Sequence, residues 1–429
     1  MKRKKFITSL GLLSGGLAMG SISNLYGSDS SFAQELAKSA RDDEFWRIVR
    51  QQFVYPEDYI YLNTGGIGAL PSLVINKLVK SLNEQEKFPR PGHSHDNWNN
   101  IKQTCTSFFG PDCKPEELAL NSCATEGINI ILNGLGLKSG DEIITSTHEH
   151  PAVHVPLINH HRLNGIVVKT FEPDMESGTG NEDRISKLIT KKTKLIILSH
   201  ITCTTGQIMP LKEIGDLARE AGVVFAVDGA QAPGSMEINL KDFDVDYYAC
   251  SGHKWMLGPK RTGILYVPSK NLENLQPTTV GAYSDKGYDI SNMSMELQNS
   301  AQRFEFGTQN EPLFIGLGAG AEFIKTIGLS KVQKHNRELA EKFHEGLMDL
   351  SGIRILSPEQ KEYRSSMITF SIPGSKAQDI SNYLAKDDAI RVRVVNEAGL
   401  NGVRVSFHVY NQSFEVDRIL NKISAYLRK

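Results

Sequence analysis

Cysteine is sparse in this chain of 429 residues: there are five, and none lies beyond Cys250. Cys105, Cys113, Cys123, Cys203 and Cys250 form no CxxC pair. This excludes the paired-ligand spacing of a zinc site and a disulfide framework, so no metal is expected. An excess of either charge is also missing, since 48 Lys and Arg face 49 Asp and Glu for a formal net charge of -1. A surface built to neutralise phosphates would be basic, so no nucleic-acid partner is expected. Internal repeats and low-complexity linkers are absent. What is plentiful is glycine, 37 residues, which suits tight strand-to-helix turns, and apolar residues at 40%, enough over this length to bury the cores of two domains.

The first residues read as a separate piece. Lys2-Arg3-Lys4-Lys5 is a basic cluster, and Phe6 to Met19 is a mildly apolar stretch too short to span a bilayer. Together they predict an export signal within a leader over 1–30, with a transient encounter with export machinery and a periplasmic destination. Arg3-Lys4-Lys5-Phe6-Ile7 resembles the twin-arginine consensus with one arginine replaced by lysine. That route carries proteins across the membrane already folded. No cysteine follows the apolar stretch, so no lipid attachment point is marked.

After an N-terminal segment over 31–60, strand-length apolar runs alternate with helical periodicity. The runs are Glu142 to Thr145, Gly165 to Val168, Leu195 to Leu198 and Val223 to Val227, and Leu211 to Ala221 reads as a helix. This alternation predicts an α/β fold with a mainly parallel sheet, helices on both faces, and ligands beyond the carboxyl ends of the strands. The large domain is expected over 61–310. Over 311–429 the texture changes to one long helical stretch, Gly316 to Leu350. Strand-like runs then follow at Ile353 to Leu356, Met367 to Phe370 and Val403 to Phe407, with helices near 376–386 and 414–427. A smaller C-terminal α+β domain is expected there.

Two residues in the large domain carry chemistry. Asp228 closes the run Val223 to Val227, and Lys254 stands in Ser251-Gly252-His253-Lys254-Trp255. Alone, Asp228 could cap a helix and Lys254 could be a solvated loop residue. Together they supply an amine for an aldehyde and a carboxylate for a pyridine nitrogen, the two groups a pyridoxal 5'-phosphate enzyme of this kind requires.

An ordered series extends this pair: Tyr61-Leu62-Asn63-Thr64-Gly65-Gly66, Ala124-Thr125-Glu126-Gly127, Glu149-His150, Ser199-His200, Asp228-Gly229-Ala230-Gln231, the lysine segment, Phe304-Glu305-Phe306-Gly307-Thr308 and Arg404-Val405-Ser406. It resembles class V aminotransferase-fold enzymes over about residues 55 to 425, and the isopenicillin N epimerase-like branch in particular. The resemblance implies fold type I, a homodimer with shared active sites, and a small amino-acid-like substrate. It implies that Lys254, Asp228 and His150 serve catalysis, with His150 stacked on the pyridine ring. Thr125, Ser251 and His253 would contact the cofactor phosphate; Ala124 would line the cofactor site at a position often held by a hydroxyl residue, with the loss of one phosphate contact; Gln231 would contact the ring hydroxyl, and Thr308 would be the phosphate contact donated across the subunit interface. Arg404 would anchor the substrate carboxylate, for which a guanidinium fork is suited.

Desulfurases of this fold carry a nucleophilic cysteine in the loop after an arginine similar to Arg393. Here that loop reads Val394-Val395-Asn396-Glu397-Ala398, so sulfur transfer through a persulfide on it is not expected. Cys203 stands where those enzymes carry an asparagine near the ring hydroxyl. The expected activity is transamination or epimerisation of an amino acid or derivative. A C–S or C–N lyase is the alternative, and a non-catalytic cofactor-binding protein the reading outside catalysis.

Overall fold

The computed structural model describes residues 29–56, 58–89, 92–386 and 389–429. The basic and apolar stretches behind the export expectation lie outside the described residues.

The large sheet has seven strands: β1 (Leu118–Asn121), β2 (Glu142–Ser146), β3 (Val167–Phe171), β4 (Thr193–Ser199), β5 (Val224–Asp228), β6 (Tyr247–Ser251) and β7 (Gly263–Tyr266). Their spatial order is β1-β7-β6-β5-β4-β2-β3, and only β7 runs against the rest. The run Leu195 to Leu198 shows why this sheet is central. All four side chains are fully buried, with Leu195 and Ile197 packed in the core on one face and Ile196 and Leu198 in the core on the other. A strand buried on both faces needs an unbroken apolar run, and each such side chain contributes about 1.5–3 kcal/mol. Helices α1 (Ala124–Gly134) and α2 (Pro151–Asn164) cover the first face, and α3 (Leu211–Ala221) and α4 (Glu311–Ile327) pack against the other.

Two elements depart from the sequence expectation, both at glycines. The run expected from Gly165 begins as a strand only at Val167, because Gly165 (φ 68°) is the left-handed cap of α2, its N–H bonded to His161 O. The single helix expected over Gly316 to Leu350 is two: α4, and α5 (Leu329–Met348), bent by 79°. Gly328 joins them at φ 95°, a conformation that other residues seldom adopt. Among the described residues no single helix is long and apolar enough to cross a membrane.

The small layer is an antiparallel sheet of β8 (Arg354–Ile355), β9 (Met367–Ser371), β10 (Arg393–Val395) and β11 (Gly402–Ser406), in the order β8-β9-β11-β10. Its core joins Phe370, Val403 and Val405 with Phe343 of α5, with Ile380 of α6 (Ala377–Ala385) and with Ile419 of α7 (Ser413–Leu427). Ile60 and Leu62 belong to this core as well, while α4 packs on the large sheet. The chain therefore crosses between the layers on both sides of the large sheet's sequence. This brings Tyr61 to Gly68 over the carboxyl ends of β5 and β6, where Gly68 N donates to His253 O at 2.9 Å.

Candidate active site

A cavity of about 320 Å³ opens at the carboxyl ends of the large-sheet strands, between the two layers. Asp228 is the last residue of β5 and Ser251 the last of β6, so Lys254 follows three residues beyond a strand end. All three line the cavity, together with Ala124, Thr125, His150, Gln231, His253 and Arg404. Every expected site residue except Thr308 is thus brought to one place. Thr308 is exposed and lies outside this cavity, following Gly307 (φ 69°).

The electrostatics suit the roles of the central pair. Burial pushes the Lys254 ammonium below the ordinary lysine range, with the Asp228 charge opposing that shift. Burial likewise raises the Asp228 carboxyl, against the Lys254 charge and the Ala230 N–H, which donates to Oδ1 at 2.9 Å. A lysine of lowered proton affinity is a nucleophile and a base. His150 is the N-cap of α2, and its Nδ1 accepts the Ala152 N–H at 3.1 Å. Burial, with the Lys254 charge second, lowers His150 to about 4, so the ring is neutral near pH 7 and carries its proton on Nε2.

At the other end, α1 begins at Ala124, one residue earlier than an opening at Thr125. The Cys123 side chain accepts nothing from the helix. The first-turn N–H groups and the dipole of a helix N-terminus favour an anion. Ser251 Oγ lies 3.3 Å from the Ala124 N–H, and His253 Nδ1 pairs with Thr262 O at 3.3 Å. Gln231 is held at both ends of its amide. Nε2 donates to Gly65 O at 3.0 Å, and Oε1 accepts from Trp255 Nε1 at 2.8 Å, which leaves one N–H for a ring oxygen. Amine, carboxylate and anion-binding N–H groups around one cavity fit pyridoxal phosphate.

Arg404 is buried in β11. Its Nη1 donates to Cys203 O at 2.5 Å and its Nη2 to Asn63 Oδ1 at 3.3 Å, while Nε has no partner among the described residues. Arg393 stands directly opposite on β10, also lines the cavity, and donates Nη1 to Cys203 O at 3.0 Å and Nη2 to Glu397. Burial and the Arg393 charge both disfavour the Arg404 cation. Like charges facing each other across strands repel, and an anion between them relieves this. The glycine pair is part of the construction, since a Cβ on Gly65 would lie 2.7 Å from Arg404 Nη2. Arg393, Gly65, Gly66 and Cys123 also line the cavity beyond the residues expected from the sequence, and Arg393 is brought there by its strand pairing with Arg404.

Beneath the cavity Glu149 is 1% exposed, each of its oxygens accepting from a serine hydroxyl at 2.5 Å, from Ser146 on β2 and Ser199 on β4. Burial pushes its carboxyl up to about 7 from an ordinary value of 4.5, the serines opposing. A carboxyl raised in the folded state stabilises the fold fully below pH 4.5, and that contribution is lost as pH rises through 7. The loss amounts to about 3 kcal/mol at 1.36 kcal/mol per pKa unit. Urea unfolding should therefore show a decline in stability over this window that Glu149→Gln removes, because an amide can still bond both serines. An equal decline in the variant would assign it to other groups.

Comparison with known proteins agrees with this geometry. The aminotransferase class-V family matches residues 61–419. A protein of Pyrococcus abyssi named "Probable cysteine desulfurase" is 31% identical over 324 residues, covering 73% of this chain and 79% of its own length. A protein of the same name from Methanothermobacter thermautotrophicus is 27% identical over 387 residues, covering 86% and 94%. Among solved structures, the apo cysteine desulfurase of Thermococcus onnurineus NA1 superposes with a TM-score of 0.80 at 27% identity, covering 89% of this chain and 98% of that one. A mutant of C-DES with glycine covalently linked to its pyridoxal phosphate cofactor gives 0.80 at 25% identity, covering 87% and 98%. The complex of the cystine C–S lyase C-DES with its product cysteine persulfide gives 0.77 at 25% identity, covering 85% and 97%. These relatives do not support the finer placement in the isopenicillin N epimerase-like branch.

Proposed function

This chain belongs to the aminotransferase class-V family and is a pyridoxal-phosphate-dependent enzyme of fold type I, and from that premise we propose that it is a C–S lyase acting on a sulfur-bearing α-amino acid such as cysteine or cystine. The relatives favour this reading over transamination or epimerisation. One observation separates it from desulfuration by a protein thiol. The segment after Arg393 is a short strand and a tight turn, Arg393–Val395 and Glu397–Gly399, with Glu397 paired to Arg393 and no cysteine. Of the cysteines lining the cavity, Cys203 is 2% exposed and burial raises its thiol, which disfavours the reactive thiolate. Cys123 precedes α1, at the end of the cavity assigned to the phosphate. Nothing on the loop is placed to accept sulfur from the substrate, so the sulfur leaves with its own proton or its own thiol.

The residues divide the work. Lys254, Asp228, Gln231, His150, Ser251, His253 and the N–H groups of α1 would hold the cofactor, which when bound supplies an electron sink for the pair released at Cα. Lys254, its proton affinity lowered by burial, takes the Cα proton. Arg404 and Arg393 hold the carboxylate, and so set which Cα bond is weakened. The β-carbon to sulfur bond then breaks, and water converts the remaining fragment to pyruvate and ammonia. Thr308, exposed beyond Gly307, is read as reaching a second subunit's phosphate site, in keeping with a homodimer. Residues 2–19 support export of the folded, loaded enzyme.

With L-cystine and the holoenzyme, the products should be pyruvate, ammonia and cysteine persulfide in equal amounts. Alanine would indicate desulfuration instead. A keto acid retaining the sulfur would mark transamination, and an inverted stereocentre epimerisation; any of these three as the main product would overturn the proposal.

A further inference from the structure

Four consecutive backbone carbonyls in the loop after β4 each accept a hydrogen bond from a side chain of the small layer. Cys203 O takes both arginines, Arg404 at 2.5 Å and Arg393 at 3.0 Å. Thr204 O accepts from Thr369 Oγ1 at 2.6 Å, Thr205 O from Ser357 Oγ at 2.5 Å, and Gly206 O from Ser365 Oγ at 2.7 Å. The donors are buried, none more than 7% exposed apart from Arg393. Strand register makes the first three one unit. Thr369 on β9 and Arg393 on β10 both stand directly opposite Arg404 on β11, so the three side chains form a row on one face of the sheet. Ser357 and Ser365 hold β9 to the same strip, their Oγ atoms accepting from Thr369 N at 2.9 Å and Met367 N at 3.2 Å. Gly206, at φ 73°, permits the close approach, since a Cβ there would lie 2.2 Å from Met367 O.

Resting on the reading that Arg404 and Arg393 take the substrate carboxylate, we infer that Ser357, Ser365 and Thr369 are positioning residues for that carboxylate. They act by fixing the 203–206 carbonyl strip against the small layer. The Cys203 carbonyl has two lone pairs and uses both on the facing guanidiniums, so its location sets their spacing. A carboxylate held by two forks is sensitive to that spacing. None of the three hydroxyls lines the cavity, so none is placed to touch the substrate.

The test titrates the visible spectrum of the holoenzyme with two amines. L-Alanine carries a carboxylate and no β leaving group; ethylamine has no carboxylate. Thr369→Val and Ser357→Ala should each raise the dissociation constant for L-alanine about three- to tenfold, the size of one hydrogen bond's loss, and leave that for ethylamine unchanged. Thr369→Ser, which keeps the hydroxyl, should bind L-alanine as the native enzyme does. Unchanged L-alanine binding in both variants, or an equal loss for both amines, would overturn the inference. If Thr369→Val does not fold, Ser357→Ala decides. Arg404→Ala separates carboxylate binding from the positioning role. Should it fail to discriminate between the amines, the carboxylate reading itself falls. Should it discriminate where Thr369→Val and Ser357→Ala do not, only the positioning role is lost.

Discussion

Lys254→Ala should abolish turnover of every amino-acid substrate and remove the visible absorbance of lysine-bound pyridoxal phosphate. The expectation rests on two separate duties. As the base at Cα, a positioned amine contributes about 10²- to 10⁴-fold; as the covalent attachment for the cofactor it has no substitute within reach, since Lys254 is the one lysine lining the cavity among the described residues. The substitution also has an electrostatic consequence. Asp228 is fully enclosed, and Lys254 is the cation that opposes the upward shift burial imposes on it. Without Lys254 that opposing charge is gone and burial raises the Asp228 carboxyl further, so the variant should also hold added cofactor less tightly. Absorbance spectra and a sensitive pyruvate assay check both effects, with circular dichroism to show an intact fold. Turnover near the native rate would sink the assignment of Lys254 and with it the mechanism.

That lysine was legible in the sequence because its signal is local. Asp228 and Lys254 each sit at or just past a buried strand, and the apolar runs of β5 and its neighbours are visible without knowing what they pair with. The same holds for α3, found from Leu211 to Ala221 as expected. What escaped notice depends on register or on backbone conformation. Arg393 joins the site only because β10 and β11 pair so that it faces Arg404, and a shift of one residue would turn it away. Thr369 likewise shows in the sequence only as part of an apolar run. Glycine was counted as a turn former, yet at 165 and 328 its positive φ ends one helix and bends another, which composition cannot reveal. Glu149 shows in the sequence only as half of a dipeptide, but its burial between Ser146 and Ser199 is a product of two strand ends meeting.

Glu305 belongs to the same class of residue, and its replacement carries the largest expected cost in stability. Its carboxylate pairs with Lys102 Nζ at 2.8 Å, and the two side chains are only 1% and 4% exposed. It also accepts the Leu120 N–H at 2.7 Å and the Trp98 indole N–H at 2.9 Å, joining the edge strand β1 to the helix His95–Thr106. Removing one partner of a buried ion pair leaves the other charge uncompensated, at about 3–5 kcal/mol. Glu305→Gln should therefore lower the unfolding free energy by that amount in urea titrations. Adding Lys102→Met should restore part of it, because the stranded ammonium is then gone. A midpoint equal to the native one would show that the pair is not enclosed as described. The position matters for function because Glu305 lies three residues before Thr308, and Gly307 N is tied to Ala282 O at 2.9 Å. The buried carboxylate thus anchors the segment read as reaching a second subunit's phosphate site. Glu305→Gln should then lose its cofactor on dialysis faster than the native enzyme, whereas a purely structural role would leave cofactor retention unchanged wherever the variant remains folded.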